Sequence, residues 1–265
     1  MSFPYRTAVA VVSGASSGLG RALCLGLASR GSTVIAVARR EPLLDELLRE
    51  LTAKGPGAER VACDVSDRDA WSARLAEVEA RHGRIDMLVN AAGIERRKGA
   101  RAVRWSDVDE AMAVNFAAAA QGTLAVLPGM LERGHGAVVN VSSDHGRAPG
   151  PGTPAYCASK AAISAFTESL AHEVAGTGVH LHVLYPGWVP TALGQGAVDG
   201  GMPVPPRAVR RSEDDVVRRT LDDIGGPGFE INAARLATLA PVVRALLPAV
   251  YRRSMRRVGG TSEGR

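Results

Sequence analysis

In the stretch SSDHGRAPGPGTPAYCASK, from Ser142 to Lys160, a tyrosine at 156 stands four residues before a lysine and thirteen after a serine. Residues four apart on a helix share a face, so the Tyr156 phenol and the Lys160 ammonium can address one ligand. A free phenol titrates near ~10, too high for easy proton exchange at neutral pH, and an adjacent cation favours its phenolate. Ser143 closes an apolar, strand-like run, where its hydroxyl can hydrogen-bond a carbonyl oxygen that gains negative charge during a reaction. Ser142 is its alternative, since alternation along a strand keeps the two serines from facing one site in the same way. These residue types fit proton transfer to or from an oxygen atom.

The elements that must position them alternate along the chain. Short apolar or β-branched runs occupy 7–14 (TAVAVVSG), 33–38, 60–65, 86–93, 136–143 and 179–187, with a further strand near Phe229 to Asn232. Helical spacing fills 18–30, 42–54, 67–82, 106–132 and 154–175. Near-continuous apolar strands separated by helices mean a parallel sheet covered on both faces. The expectation is a single domain over residues 1–265: an α/β, doubly wound, Rossmann-type parallel sheet of about seven strands. The stretch 188–224, rich in Gly, Pro and Arg, is too long for a simple connection and reads as a substrate-covering insertion. Residues 235–258 form a basic C-terminal helical appendage.

After the first strand comes SGASSGLG, in which Gly14, Ser16, Ser17, Gly18, Leu19 and Gly20 lead into a helix. A strand, a glycine turn and a helix start present backbone N–H groups and the positive helix end to a phosphate, as dinucleotide sites require. At the tip of the second strand, in VIAVARRE, Ala38 stands where an acid would bind the ribose hydroxyls of NAD, and Arg39 and Arg40 follow. Two guanidiniums favour a 2′-phosphate by charge and forked geometry, so the expected cofactor is NADP(H), with Arg39 the stronger candidate.

The GxxxGxG spacing, followed in order by NAAG, a helix asparagine, Ser, YxxxK and a PG element, resembles the short-chain dehydrogenase/reductase family from about Thr7 to Thr191. The resemblance implies that Asp64 binds the adenine amino group with Val65 beside the ring, although Asp64 could instead cap the next helix. It implies that Asn90, Ala91 and Gly93 of NAAG let the cofactor lie close to a strand end; Ala91 departs from the family's asparagine. It implies a tetrad of Asn115, Ser143, Tyr156 and Lys160, the thirteen-residue interval selecting Ser143, with Asn115 on distorted helix backbone holding a water near the lysine. Pro186, Gly187, Val189 and Thr191 in YPGWVPT would meet the nicotinamide and diphosphate, and Tyr156 and Lys160 would touch the cofactor too. The implied reaction is NADPH-dependent hydride transfer between the nicotinamide and a carbonyl or secondary alcohol. The alternatives are a catalytically silent or regulatory NADP-binding protein and a tailoring epimerase or cyclase.

Composition narrows the classes further. With 46% hydrophobic and 22% charged residues, the 265-residue chain is globular in type. Its net charge of +5 is local, because the eleven arginines and six acids between Arg207 and Arg257 account for all of it; nucleic-acid binding therefore has little support. Cys24, Cys63 and Cys157 lack disulfide or metal spacing, as do the histidines, so no metal is expected and reduced thiols in a cytoplasm fit best. No signal-peptide pattern and no run of 18 uncharged apolar residues suggests export or a membrane span.

Substrate choice is expected to reside in 94–105, 144–155 and 188–224. The first carries Arg96, Arg97, Lys98, Arg101 and Arg104, as an anionic rim or a solvated loop, and the second carries His145, a pocket-shaping residue or second proton donor. In the tail, Leu239, Val243, Leu246, Leu247 and Val250 recur at helical intervals before four arginines, with Pro241 and Pro248 dividing two short helices. That pattern suits peripheral contact with an anionic membrane, a lid over the pocket, or a subunit interface. The family resemblance implies a homodimer or homotetramer pairing through the helices near 106–132 and 154–175.

Overall fold

The computed structural model of the chain describes residues 3–200, 202 and 204–260. Seven parallel strands, β1 (Val9–Ser13), β2 (Thr33–Ala38), β3 (Gly57–Ala62), β4 (Met87–Asn90), β5 (Gly136–Val141), β6 (Val179–Tyr185) and β7 (Glu230–Asn232), lie in the order β3-β2-β1-β4-β5-β6-β7. Between them run α1 (Gly18–Ser29), α2 (Glu41–Lys54), α3 (Arg68–His82), α4 (Trp105–Met112), α5 (Ala118–Arg133), the short α6 (Asp144–Arg147) and α7 (Pro154–Glu173). The order reverses between β1 and β4, and such a switch point opens a crevice at the carboxyl ends of the strands.

Side chains of successive strand residues enter opposite cores. Ala10, Val12, Val34 and Ala36 pack with Leu23 and Leu27 of α1 and Leu44 and Leu47 of α2. Val9, Val11, Ile35 and Val37 face Trp71 and Leu75 of α3 and Val126 and Met130 of α5. Both faces being buried, β1 reads VAVVS with no polar residue before its last, the pattern expected of a covered parallel strand.

Three elements differ from the sequence reading. β3 spans 57–62 rather than 60–65, because it is the edge strand and exposes part of each side chain. Glu59 there pairs with Arg81 at 2.9 Å, and Arg60 with Glu41 at 3.1 Å; charges tolerated at an edge disguise the strand. Asp64 and Val65 thus lie in the loop beyond it. The helix over 106–132 is really three pieces, α4, a π-helical turn at Ala113–Ala117 and α5. By length and a mean hydropathy of 1.3, the continuous 105–133 helix could cross a membrane, yet half of that apolar window is buried inside the fold.

The third difference is the covering stretch 188–224, whose residues 201 and 203 lie outside the described part. Its first half holds α8 (Ala192–Asp199) beside the crevice. Its second half is α9 (Glu213–Asp223), a core helix: Val216 and Leu221 share one cluster with Leu23 and Leu27. Ser212 caps it, accepting from the Asp215 N–H at 3.1 Å. Its EDD start and adjacent arginines hide a narrow apolar stripe. Beyond β7, the tail forms α10 (Leu239–Leu246) and α11 (Pro248–Gly260); Pro241 sits harmlessly in the first turn of α10, and the break falls at Pro248. The Tyr251 hydroxyl donates to Pro149 O at 2.7 Å and Arg244 to Arg147 O at 2.8 Å, docking this hairpin on the loop before α7.

His182 of β6 locks the α9–β7 connection. Its Nδ1 lies 3.0 Å from Gly228 O and its Nε2 accepts the Gly225 N–H at 3.2 Å, an arrangement only the neutral ring satisfies. Burial pushes its pKa from 6.5 down to about 4. The unfolded chain therefore binds a proton that the fold resists, and stability present above pH 6.5 is lost as pH falls toward 4. The loss is on the order of 3 kcal/mol. Thermal unfolding of the wild type and His182→Gln should show the wild type losing more melting temperature between pH 7 and 4; parallel curves would contradict this.

Candidate active site

A cleft of about 630 Å³ opens at the carboxyl ends of β1, β4, β5 and β6. The glycine turn forms one end. A Cβ at Gly14 would sit 2.6 Å from Ala92 N, and one at Gly20 would collide with the Gly14 carbonyl, so the turn closes only with bare backbone there. Ser17 precedes α1 but does not cap it; its hydroxyl, like that of Ser16, accepts from Arg40 at 2.8 and 2.7 Å respectively. The first-turn N–H groups of α1 consequently face the cleft with Gly18, Leu19 and Gly20 on its wall, an anion cradle.

Arg39 and Arg40 border the same end, as do Asp64 and Val65. Arg40 spends its fork on two hydroxyls rather than a carboxylate, while Arg39 reaches Asp64 Oδ2 at 3.3 Å. Asp64 Oδ1 accepts from Ser66 N–H and Oγ at 3.0 and 2.7 Å. Burial works against the Asp64 carboxylate, but these hydrogen bonds and Arg39 hold its pKa below the ordinary value. The cap of α3 is Asp67, which accepts from Ala70 N–H at 3.0 Å, so Asp64 is free of that duty. The residues present fit a dinucleotide: backbone donors for a diphosphate, two cations and an acid beside them.

Ala91, Gly93, Pro186, Gly187, Val189 and Thr191 line the cleft as well. Asn90 does not. Its Nδ2 donates to Asn140 Oδ1 at 2.8 Å and Ala119 O at 3.1 Å, because the pleat of β4 turns it into the interior toward α5. Its expected place on the cofactor is therefore corrected to a core polar network.

At the chemical end, α7 carries Tyr156 and Lys160 on one buried face. The Lys160 Nζ donates to Val141 O at 2.7 Å and lies 5.8 Å from the centre of the Tyr156 ring. The two serines separate: Ser142 Oγ donates to Lys160 O at 2.9 Å and meets Ser164 at 2.7 Å, whereas Ser143 stays in the cleft beside the phenol. Asn115 sits in the π turn and does not line the cleft. Its Oδ1 accepts the Ile94 N–H at 2.8 Å, and its Nδ2 donates to Ile94 O and to Ser159 Oγ, both at 2.9 Å. Ser159 in turn donates to Tyr156 O at 2.9 Å. Asn115 thus ties the exit of β4 to the first turn of α7. The π turn supplies the displaced backbone this needs, as such bulges often do at functional sites. Ser159 was legible only as the residue before Lys160 in YCASK.

The electrostatic balance differs from the expected one. Burial pushes the Tyr156 phenol above its ordinary value, Ser143 opposes this, and the Glu95 charge adds to it. The ammonium does not reverse that trend, since it is turned to the Val141 carbonyl and is itself pushed down to about 8 by burial. Tyr156 accordingly keeps its proton, the form a general acid needs. His145 stands edge-on to Tyr156, ring centres 6.1 Å apart, and burial lowers its pKa and keeps it neutral.

Two of the five cations of the basic rim are paired at hydrogen-bonding distance: Arg96 meets Glu110 at 3.1 Å and Lys98 meets Asp107 at 2.7 Å. Met202, in the stretch expected to cover the substrate, and Leu236 and Ala240 of the tail, for which a lid was one reading, close the far wall.

Fold and site together define a dinucleotide-binding α/β protein with a phenol and an ammonium at the reactive end. The family model for short chain dehydrogenase matches residues 8–200. A short chain dehydrogenase of Pseudocercospora fijiensis is 47% identical over 188 residues, 70% of this chain and 60% of that protein. Dehydrogenase/reductase SDR family member 7B of Danio rerio is 33% identical over 93% of this chain and 84% of its own length. The crystal structure of a short-chain dehydrogenase from Streptomyces avermitilis superposes with a TM-score of 0.77 at 30% identity, covering 94% of this chain and 97% of that one. The chain belongs to the short-chain dehydrogenase/reductase family, oxidoreductases that bind a nicotinamide cofactor and act on small molecules. The matched stretch spans less than two thirds of the P. fijiensis protein.

The two serines make a direct test. Ser143→Ala should lower kcat by about 10²-fold or more, the usual loss of one oxyanion donor. Ser142→Ala should keep turnover near normal while losing about 1 kcal/mol of stability with one hydrogen bond, since Lys160 O keeps the Ser164 Oγ donor at 2.8 Å. Equal kinetic effects at both positions would refute the assignment.

Proposed function

We propose that this protein is an NADPH-dependent oxidoreductase that interconverts a carbonyl and a secondary alcohol. The observation that carries the reading is the meeting of Ser143, Tyr156 and Lys160 in the same cleft as the glycine turn, Arg39 and Arg40. Arg40, engaged by serine hydroxyls and, among the described residues, by no carboxylate, retains its charge for a 2′-phosphate, and this supports NADPH over NADH.

When bound, the reduced nicotinamide supplies hydride to the carbonyl carbon. Ser143 and Tyr156 hold the carbonyl oxygen, and the Tyr156 O–H gives it a proton as charge develops there. Burial keeps the phenol protonated beforehand, which favours reduction. Lys160 has two N–H bonds beyond the one given to Val141 O. They serve the ribose of the dinucleotide and the phenolate left after transfer, while Asn115 holds the surrounding backbone. Trp188, Leu193, Met202, Leu236 and Ala240 line the cleft and support a substrate with an apolar substituent.

The test is the loss of NADPH absorbance against a panel of ketones. Turnover should be faster with NADPH than NADH. Tyr156→Phe should lower kcat by about 10²–10⁴-fold, the usual share of general acid catalysis, with NADPH still bound. Arg40→Ala should raise KM for NADPH about tenfold or more, the worth of one charge-assisted hydrogen bond. Preference for NADH, or near-normal turnover by Tyr156→Phe, would overturn the reading.

We infer also that the tail meets anionic lipid. Leu239, Val242, Leu246, Leu247 and Val250 are exposed large apolar residues on its outer side. Arg252, Arg253, Arg256 and Arg257 are exposed beyond them, and no acid occurs from residue 231 to 260. A second copy on a two-fold axis would bring these like charges together, whereas anionic headgroups complement them. The wild type should sediment with phosphatidylserine-containing vesicles and not with phosphatidylcholine alone, and Leu246→Ser/Arg253→Glu should abolish this. Absence of binding at low salt, or equal binding by that variant, would refute it.

A further inference from the structure

Two residues beyond Gly93 stands a carboxylate for which the chemistry above finds no use. The Glu95 side chain is only 8% exposed and borders the cleft. Its Oε1 is buried with no hydrogen-bond partner among the described residues. The nearest cation, Arg97 Nη1, is 3.8 Å away, beyond hydrogen-bonding reach, and the other terminal nitrogen of that guanidinium is directed to Pro151 O at 3.5 Å. Burial raises the Glu95 pKa, and its charge is felt at Tyr156. Glu95 and the reacting phenol line the same cleft.

A buried acceptor without a donor is costly, and buried polar groups in folded chains are almost always paired. Among the described residues, Glu95 caps no helix and bridges no two elements. A donor arriving with the substrate would satisfy it. Arg97 already contributes a positive charge beside it, one that also depresses the pKa of His145, so an ammonium would be repelled. A substrate carboxylate would be repelled by Glu95 itself. The remaining donors are neutral, and a hydroxyl is the simplest of them that a ketone can carry beside its carbonyl.

We propose that Glu95 is a specificity-determining residue that accepts a hydrogen bond from a hydroxyl on the substrate close to its reacting carbonyl, making hydroxyketones, or the corresponding diols in reverse, the substrate class. The inference rests on the carbonyl-reductase reading and narrows it. His145 and Tyr156 form the other polar side of the corner, and the apolar wall takes the remainder of the molecule. Because binding energy here comes from one buried charged acceptor, removing the hydroxyl from the substrate leaves that acceptor unpaired again, which is how sites of this kind reject deoxy analogues.

The experiment compares matched ketone pairs of equal size, an aromatic pair (2-hydroxyacetophenone and propiophenone) together with aliphatic and cyclic pairs, under NADPH. The wild type should favour the hydroxylated member by about tenfold or more in kcat/KM. In Glu95→Leu that ratio should fall to about one, and in Glu95→Gln it should be partly kept. Thermal unfolding adds a readout that a purely structural role would move the other way: Glu95→Leu should raise the melting temperature, since it replaces an unpaired buried carboxylate by an apolar group. Turnover of the pairs with no preference for the hydroxyl, or a preference that survives Glu95→Leu, would overturn the inference while leaving the oxidoreductase reading intact. Failure of every ketone to oxidise NADPH would instead strike that reading itself.

Discussion

Everything at the reactive end follows from keeping an ammonium out of water. Lys160 is 4% exposed, and a buried cation is tolerable only where polar groups meet it. Its partner within the chain is the carbonyl of Val141, the last residue of β5. One carbonyl cannot replace a hydration shell, and the depressed pKa records what is missing. A ligand that brings further oxygen acceptors completes the shell, so the cost of burying Lys160 becomes a reason to bind one. The same burial holds the proton on Tyr156. Acid and cation are thus prepared separately, each by exclusion of water, and become a working pair when substrate and dinucleotide enter.

Such a site needs unusually firm support, and the fold provides it through strand ends. β5 delivers both the Val141 carbonyl and Ser143, and Ser142 binds the carbonyl of Lys160 itself. From the other direction, Asn115 grips the Ile94 backbone and, through Ser159, the carbonyl of Tyr156. A π turn in an otherwise regular helix is the geometric concession that lets this amide reach both. The order of strands places β1 next to β4, so the glycine turn opens onto the same crevice. Opposite, the tail hairpin closes the wall with residues more than seventy positions downstream of Lys160.

Much of this was written in local pattern. β2 spans the same residues as its apolar run, and α1, α2 and α7 fall within two residues of their helical periods, since buried parallel strands and amphipathic helices carry strong signals. Of the residues expected at the site, the glycine turn, both arginines, Asp64, Ser143, Tyr156 and Lys160 come together in one cleft. What failed did so for physical reasons. β3 hid behind edge charges, and α9 behind a charged first turn. Asn90 sits in a motif that points at the cofactor while its own side chain points away. The sign of the Tyr156 shift could not be read from spacing, because desolvation depends on everything packed around the ring. Glu95 was lost among neighbouring arginines, where only burial distinguishes it.

The account therefore rests on a phenol that is less acidic than free tyrosine until the cleft is filled. Ring-labelled tyrosine followed by carbon NMR, with Tyr156→Phe assigning the signal, measures this directly. Without cofactor, Tyr156 should remain protonated at a pH where ordinary tyrosines, near ~10, have begun to ionise, and saturating NADP⁺ should bring its titration down. A phenol already ionising below the ordinary value in the free protein would contradict the account.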